Sequence, residues 1–148
     1  MSDERRTTPT LTPGLLYHDA PAAIEWLCRA FGFAPRTVIP GADGMIVHAH
    51  LTLHNGGIML SSAESYAFPA WCKSPRDVGG TGTHEVLVHV PDADAHYARA
   101  VAAGAEILIP LEDKPYGGRG YSCRDCEGHV WAFGTYDPWA GDDTRPTP

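Results

Sequence analysis

The chain has 148 residues, of which 20% are charged, and its formal net charge is −7 at pH 7. A chain of this length can bury a core as a single domain, and its acidic balance excludes the basic surface that nucleic acid requires. No apolar run approaches the roughly 18 residues of a membrane-spanning helix, and residues 1–9 lack the apolar stretch of a signal peptide. We therefore expect a cytoplasmic protein with no nucleic-acid or membrane partner.

The first half of the chain predicts four strands and one helix. A strand over about residues 14–18 is followed by a helix that begins near Pro21 and ends at Gly32, because apolar residues recur between them at helical spacing. Two further strands, over residues 36–39 and 45–53, are joined by a hairpin turn. Asn55-Gly56 is a second hairpin signal, and residues 58–62 then form the fourth strand.

The second half of the chain repeats this order of elements. A strand (85–90), a helix (93–103, capped by Gly104) and three strands (106–109, 119–124 and 129–136) follow one another. The sequence thus predicts two βαβββ units, about 10–62 and 82–139, joined by a linker over 63–81. We expect a binding site in the concavity where the two half-sheets meet, and poorly ordered ends at residues 1–9 and 140–148.

Four segments carry a family resemblance: Thr12–Leu15, His48–Leu51, Tyr116–Asp125 and Gly128–Tyr136. They resemble the vicinal oxygen chelate superfamily, which includes glyoxalase I, extradiol dioxygenases and fosfomycin and bleomycin resistance proteins, and in particular its bleomycin-resistance-like branch. The resemblance covers about residues 10–139. It implies an α+β fold in which the two units form a curved mixed sheet around a concave cup, with the helices on the convex face.

Strand alternation then assigns side chains to the two faces of the predicted sheet. In the last strand, Trp131 and Phe133 are expected to face the helix, whereas Ala132 and Gly134 look into the cup. The same alternation over residues 85–90 places valines against the helix and the residues between them in the cup.

The metal enzymes of the superfamily use four inward-facing positions, which correspond here to Thr12, Leu60, Glu85 and Ala132. Only Glu85 has a metal-binding side chain, whereas a divalent ion needs three or four suitable ligands. The usual metal site is therefore absent, and we expect no cofactor. A non-standard divalent-metal site stays open, because His48 and His50 share one face of a strand and Glu85 could join them. Alternatively, the two histidines are polar residues that line the cup.

Several side chains are candidates for contact with a small molecule in the cup. Glu85 and His89 fall on the cup side of their strand. Arg119 follows a Gly-Gly turn, where its guanidinium could meet a ligand carboxylate or phosphate, or pair with Asp125 or Glu112. The full candidate set is His48, His50, Glu85, His89, Arg119, Trp71 and Tyr116, the last two as aromatic walls or packing residues.

Cys123 and Cys126 have the C-x-x-C spacing found in redox-active and zinc sites. The segment reads as a strand that runs into a turn, and no second C-x-x-C completes a zinc set. We therefore expect no thiol chemistry at this motif.

Two functions follow from these patterns. The first is a small-molecule binding protein of the glyoxalase/bleomycin-resistance type, which lacks the usual metal and sequesters a mostly apolar or aromatic ligand in the cup. The alternative is a metal-dependent lyase, isomerase or dioxygenase with a site built from His48, His50 and Glu85. The resemblance also implies a homodimer, since in many members the concave surfaces are completed across two chains. A dimeric scaffold with an empty cup is the third possibility.

Overall fold

The computed structural model describes residues 9–64 and 71–140, which form two α-helices and two four-stranded sheets. The first unit comprises β1 (Gly14–Tyr17), α1 (Ala20–Phe31), β2 (Ala34–Pro40), β3 (Ile46–Leu53) and β4 (Gly56–Ser62). The second comprises β5 (Val86–His89), α2 (Ala93–Ala102), β6 (Glu106–Asp113), β7 (Arg119–Arg124) and β8 (Val130–Gly134). The α+β class and the two βαβββ units are confirmed.

The two sheets have the same topology. Their strand orders are β1-β4-β3-β2 and β5-β8-β7-β6. The first pair in each sheet is parallel and the other pairs are antiparallel. Within the described residues, no strand of one sheet pairs with a strand of the other, so each unit keeps a mixed sheet of its own.

Both helices begin at an aspartate, in corresponding positions of the two units. Asp19 accepts a hydrogen bond from the backbone N–H of residue 22, and Asp92 accepts one from residue 95, at 3.1 and 3.0 Å. These bonds satisfy N–H groups that have no partner inside the helix. At its other end α1 stops at Gly32 in the left-handed region (φ 86°), whereas α2 ends one residue earlier than predicted, with Ala103 as its cap.

Two edge strands are longer than the sequence predicts. The predictions over 36–39 and 106–109 stop at prolines, yet β2 continues through Pro40 and β6 through Pro110. Proline has no N–H to donate, so it is excluded from central strands but tolerated at a sheet edge. Since β2 and β6 are the outer strands of their sheets, Pro40 is accommodated as the last residue of β2 and Pro110 in the interior of β6.

One apolar core joins the two units. Phe31, at the end of α1, packs against Trp131 and Phe133 of β8, with ring centroids 5.4 and 4.6 Å apart. Trp131 and Phe133 are fully buried and face the helices, as predicted. Because the helix-covered sides of both sheets contribute to this core, the other side of each sheet remains open.

Polar contacts fix the units together near the start of α1. The carboxylate of Asp125 accepts hydrogen bonds from the Tyr17 hydroxyl (2.6 Å) and from Trp131 Nε1 (3.0 Å). Glu127 accepts two more, from the backbone N–H groups of residues 18 and 19, at 2.7 and 2.8 Å. Both carboxylates belong to the β7–β8 turn, so the second unit holds the β1–α1 turn of the first.

A second set of contacts fixes the units together at the end of α1. Arg99 of α2 donates to the carbonyls of Arg29 (2.7 Å) and Cys28 (3.0 Å), and His96 Nε2 lies 3.0 Å from the carbonyl of Phe31. The last carbonyls of a helix have no partner within it and attract positive charge. Side chains of the second unit therefore supply the hydrogen bonds that α1 lacks at its end.

Some predictions fall on parts of the chain outside the described residues. These are most of the expected poorly ordered ends (1–8 and 141–148) and residues 65–70 of the linker. The described part of the linker contains a short 3-10 helix over Pro75–Val78. No helix among the described residues is long and apolar enough to cross a membrane.

Candidate functional site

Strand register shows which face of the first sheet each side chain occupies. Leu60 pairs with Leu15 on one side and Ala49 on the other, and all three are buried beneath α1. The prediction that Leu60 faces the cup is therefore wrong. Its neighbours Met59 and Ser61 lie on the open face instead, because a shift of one residue along a strand reverses the face of every side chain.

The open face of the first sheet carries a hollow of about 390 Å³, here called the first-sheet hollow. His48 and Trp71, two of the predicted binding residues, line it. His50 pairs with Met59 on the same face but lies outside the hollow. The other walls of the first-sheet hollow are mostly apolar and include Gly14, Leu16, Met59 and Cys72.

The open face of the second sheet carries a larger hollow, the second-sheet hollow, of about 650 Å³. Four predicted binding residues line it: Glu85, His89, Tyr116 and Arg119. The sequence therefore predicted residues on both open faces, and the structure divides them between two hollows that share no lining residue.

The floor of the second-sheet hollow is built from very small residues. Gly120 lies opposite Gly134, and Ser122 lies opposite Ala132, across the β7–β8 pair. Alternation places the large residues of these strands on the helix-covered side, where Tyr121 is 1% exposed. The floor over β7 and β8 therefore presents mainly backbone and small side chains, and Leu87 and Ile109 lie on either side of it.

Aromatic side chains form one wall of this hollow. Tyr116 and Tyr136 meet edge to face, with ring centroids 5.1 Å apart and an interplanar angle of 79°, and Trp139 lies beside them in the lining. Gly118 makes this wall possible: its φ is 74°, and a Cβ there would lie 2.6 Å from the backbone nitrogen of Tyr136. Only glycine allows Tyr136 to approach so closely.

Arg119 is already paired at the rim of the hollow. Its Nε lies 3.2 Å from the carboxylate of Asp94, and its Nη1 lies 3.3 Å from that of Asp113. The partners considered from the sequence, Asp125 and Glu112, are wrong, because Asp125 is buried between the units and Glu112 pairs with the neighbouring lysine. Asp94 projects from α2, which sequence spacing alone could not place beside Arg119.

A third hollow of about 460 Å³ lies between the units, where the β3–β4 turn approaches β5. Glu85 and His89 line this junction groove as well as the second-sheet hollow, and His54 and His84 add two further polar walls. The groove corresponds to the predicted meeting place of the two half-sheets. It has neither the tyrosines nor the Gly120–Gly134 floor of the second-sheet hollow.

The three candidate metal ligands lie on different sheets. His48 and His50 belong to β3, whereas Glu85 immediately precedes β5. Across the described ranges 9–64 and 71–140, no group of three or more histidine, cysteine, aspartate or glutamate side chains is arranged to hold a metal ion. The geometry therefore lends no support to a site built from these three residues.

The C-x-x-C motif spans the end of β7 and the turn after it. Burial, with a contribution from the Asp125 carboxylate, raises the pKa of the Cys123 thiol to about 12, and similar causes raise the pKa of the Cys126 thiol to about 12. Both thiols are free. A thiol with such a high pKa is a poor nucleophile at neutral pH.

Sequence reasoning missed part of the second-sheet hollow. Lys114 and Tyr136 line it, as do the small residues of the floor. A signal was available for the floor: glycine and alanine occupy successive cup-facing positions of the last strand, at Ala132 and Gly134. No local pattern marked Tyr136, because the approach of Gly118 places it in the wall.

Comparison with known proteins agrees with this architecture. The Glyoxalase/Bleomycin resistance protein/Dioxygenase superfamily matches residues 11–133. The crystal structure of TioX from Micromonospora sp. ML1 is 39% identical, covers 85% of this chain and 94% of its own, and gives a TM-score of 0.67. An uncharacterised protein of Mycobacterium tuberculosis H37Rv is 34% identical over 128 residues, which is 85% of this chain and 74% of that protein.

A more distant structure shows the fold alone. A glyoxalase/bleomycin resistance protein/dioxygenase from Nocardioides is 23% identical, with a TM-score of 0.62 and coverage of 94% of this chain and 90% of its own. The paired βαβββ units, the family match and the two relatives above 30% identity lead to one conclusion. The chain belongs to the glyoxalase/bleomycin resistance protein/dioxygenase superfamily.

Proposed function

We propose that this protein binds and sequesters a small, mostly apolar or aromatic molecule in the second-sheet hollow. The observation that carries the proposal is the combination of a floor of small residues around Ala132 with an aromatic wall at Tyr116 and Tyr136. A volume of about 650 Å³ is in the range of drug-sized ligand sites. Glu85, His89 and Arg119 supply a few polar groups that orient the ligand.

Binding of this kind requires no metal ion. Burial of apolar ligand surface supplies most of the free energy, and aromatic contacts add to it. His48, His50 and Glu85 act in this proposal as polar lining rather than as metal ligands. We place the protein in the cytoplasm, where its four cysteines would stay reduced.

We further propose that two copies of the chain form a homodimer and cover each other's open faces. Leu87 in the second-sheet hollow is 74% exposed and Trp71 in the first-sheet hollow is 72% exposed. Large apolar groups exposed in hollows are typical of surfaces that meet a partner. In such a dimer, His48, His50 and Trp71 of one copy would face the ligand held by the other.

The dimer is tested by sedimentation velocity of the wild-type chain and the Leu87→Asp variant. The wild type is expected to sediment as a dimer and the variant as a monomer, because a carboxylate at this position cannot be buried cheaply. Val101→Asp, which changes a half-exposed residue of α2 outside the three hollows, is the matched control and should leave the dimer intact. A monomeric wild type at high micromolar concentration would refute the dimer.

The binding function is tested by a thermal-shift screen of apolar and aromatic compounds, with hits measured by titration calorimetry. Protein treated with a chelator should still bind the compounds found in the screen. Ala132→Leu should weaken their binding at least about tenfold, because the larger side chain fills the floor of the hollow. Ala98→Leu makes the same change at an exposed position of α2, outside the three hollows, and should leave binding unchanged. Binding that appears only after zinc, nickel, manganese or iron is restored would favour the enzyme alternative.

A further inference from the structure

We infer that the second-sheet hollow selects a planar aromatic molecule that carries a positive charge, and that Glu85 recognises the charge. This inference rests on the proposed function, because it concerns the same hollow. It adds the shape and the charge of the ligand, which the fold leaves open.

The shape follows from comparing the two copies of the repeat. On the open face of the first sheet, the facing pairs across β3 and β4 include His50 with Met59 and Thr52 with Gly57. Within the second-sheet hollow, the facing pairs across β7 and β8 are Gly120 with Gly134 and Ser122 with Ala132, and Leu87 of β5 lies beside Ala132. The strip over β7 and β8 in this hollow therefore has no open-face side chain larger than serine, whereas His50 and Met59 occupy the matching strip of the first sheet. A ring that lies on a strip of small residues leaves few voids beneath it, so the strip favours a planar ligand over a bulky one.

The inferred charge of the ligand follows first from the two cationic side chains that line the second-sheet hollow, Arg119 and Lys114. Arg119 already contacts the carboxylates of Asp94 and Asp113, and Lys114 Nζ lies 2.9 Å from that of Glu112. An anionic ligand would have to compete with these three carboxylates for the same donors. The hollow therefore offers no uncompensated positive charge to an anion.

The inferred charge of the ligand follows also from the groups of the hollow that attract cations, namely the Glu85 carboxylate and the tyrosine rings. Glu85 lines the hollow and makes no hydrogen bond or ion pair with any residue in the described part of the chain. The ring faces of Tyr116 and Tyr136 attract cations, and the net charge of −7 raises the local concentration of cationic ligands. A cationic ring can thus stack on the floor and the tyrosines while its charge meets Glu85.

Three probe molecules separate shape from charge. Proflavine is a planar cation, acridine-9-carboxylate is a planar anion with the same ring system, and tetraphenylphosphonium is a cation that is not planar. Fluorescence and calorimetric titrations of the full chain should show that proflavine binds at least about tenfold more tightly than either of the others. Added salt should weaken proflavine binding, since the contact with Glu85 is at the rim.

Variants test whether proflavine binds in the second-sheet hollow. Glu85→Gln should weaken proflavine about tenfold and leave acridine-9-carboxylate unchanged or slightly tighter, whereas Glu25→Gln on α1 is the charge-matched control and should change neither. Ala132→Leu should weaken proflavine binding strongly, whereas Ala98→Leu, at an exposed position of α2 outside the three hollows, should not. Tyr116→Leu, at an exposed wall position, gives the same test if Ala132→Leu does not fold.

The outcomes separate this inference from the proposed function. Equal or tighter binding of the anion, or proflavine binding that both Glu85→Gln and Ala132→Leu leave unchanged, overturns the inference but leaves a small-molecule binder. A compound screen whose hits are all neutral or anionic likewise overturns the inference and leaves the proposed binding function standing. If the screen yields no ligand and none of the three probes binds, both proposals fail.

Discussion

At the scale of single residues, Asp125 shows how a polar side chain can be buried without a counter-charge. Its carboxylate is 7% exposed and accepts hydrogen bonds from Tyr17, Trp131 and the backbone N–H groups of residues 127 and 129. A buried carboxylate is stable when its lone pairs are occupied in this way. The residue therefore joins the β7–β8 turn to the end of β1.

Replacement of Asp125 should be strongly destabilising. We expect Asp125→Ala to lower the free energy of unfolding by about 3 kcal/mol, because it leaves the Tyr17 hydroxyl and Trp131 Nε1 buried without an acceptor. Tyr17→Phe removes only one donor and should cost about 1.5 kcal/mol. Urea denaturation monitored by tryptophan fluorescence measures both. A loss under 1 kcal/mol in Asp125→Ala would contradict the assignment.

The thiol of Cys126 should react slowly despite its place at the surface. Desolvation and the carboxylates of Asp125 and Glu127 raise its pKa to about 12, so the thiolate that attacks an alkylating agent is scarce at pH 8. We expect iodoacetamide to modify Cys126 more than about tenfold more slowly in the folded protein than in urea. Peptide mass spectrometry over time gives both rates, and equal rates would refute the shift.

At the scale of elements, the helices follow from local signals and the edge strands do not. The Asp19 and Asp92 caps and the left-handed Gly32 are encoded within a few residues of the helix ends. The lengths of β2 and β6 depend on whether their prolines lie at a sheet edge. Edge or centre is a property of the sheet, so the local sequence stops these strands too early.

The cap of α2 offers a test at this scale. Asp92→Ala should lower the free energy of unfolding by about 1 kcal/mol, because the N–H of residue 95 loses its acceptor. Asp92→Asn keeps a side-chain oxygen and should retain most of the stability. Thermal and urea unfolding of the two variants decide the matter, and an equal loss in both would show that the charge rather than the hydrogen bond matters.

At the scale of the whole molecule, stability depends on the contact between the units, and His96 lies in it. The carbonyl of Phe31 can only accept, so Nε2 of His96 carries the proton and donates to it (3.0 Å). Nδ1 then accepts from the Tyr121 hydroxyl (2.6 Å). Burial, reinforced by the nearby Arg99 and His54, lowers the pKa of His96 from its ordinary value of 6.5, although the bond to Phe31 opposes the shift.

This pKa shift predicts the sign of a pH effect. Below pH 6.5 the unfolded chain binds a proton at His96 while the folded protein still resists it, so stability is present above pH 6.5 and is lost as the pH falls through the lower folded value. The free energy of unfolding should decrease more between pH 7.5 and 5.5 in the wild type than in His96→Gln. Parallel curves for the two proteins would exclude His96 as the source.

The candidate site was only partly predictable from the sequence. Alternation along β5 correctly placed Glu85 and His89 on the open face, since side-chain direction has a strict period of two. Matching the superfamily's metal positions failed for Leu60, which lies on the covered face, one residue away from the open-face residues Met59 and Ser61. The partners of Arg119 could not be foreseen, because Asp94 lies 25 residues away on a helix.

The sequence by itself determined the order of elements and the duplicated βαβββ plan, because periodicity, caps and turns act over a few residues. Only the tertiary structure decided that the open faces hold separate hollows, that small residues of β7 and β8 meet beside Ala132, and that Arg119 pairs with Asp94 and Asp113. These properties depend on which distant segments meet across the shared core, and local sequence patterns do not specify those contacts.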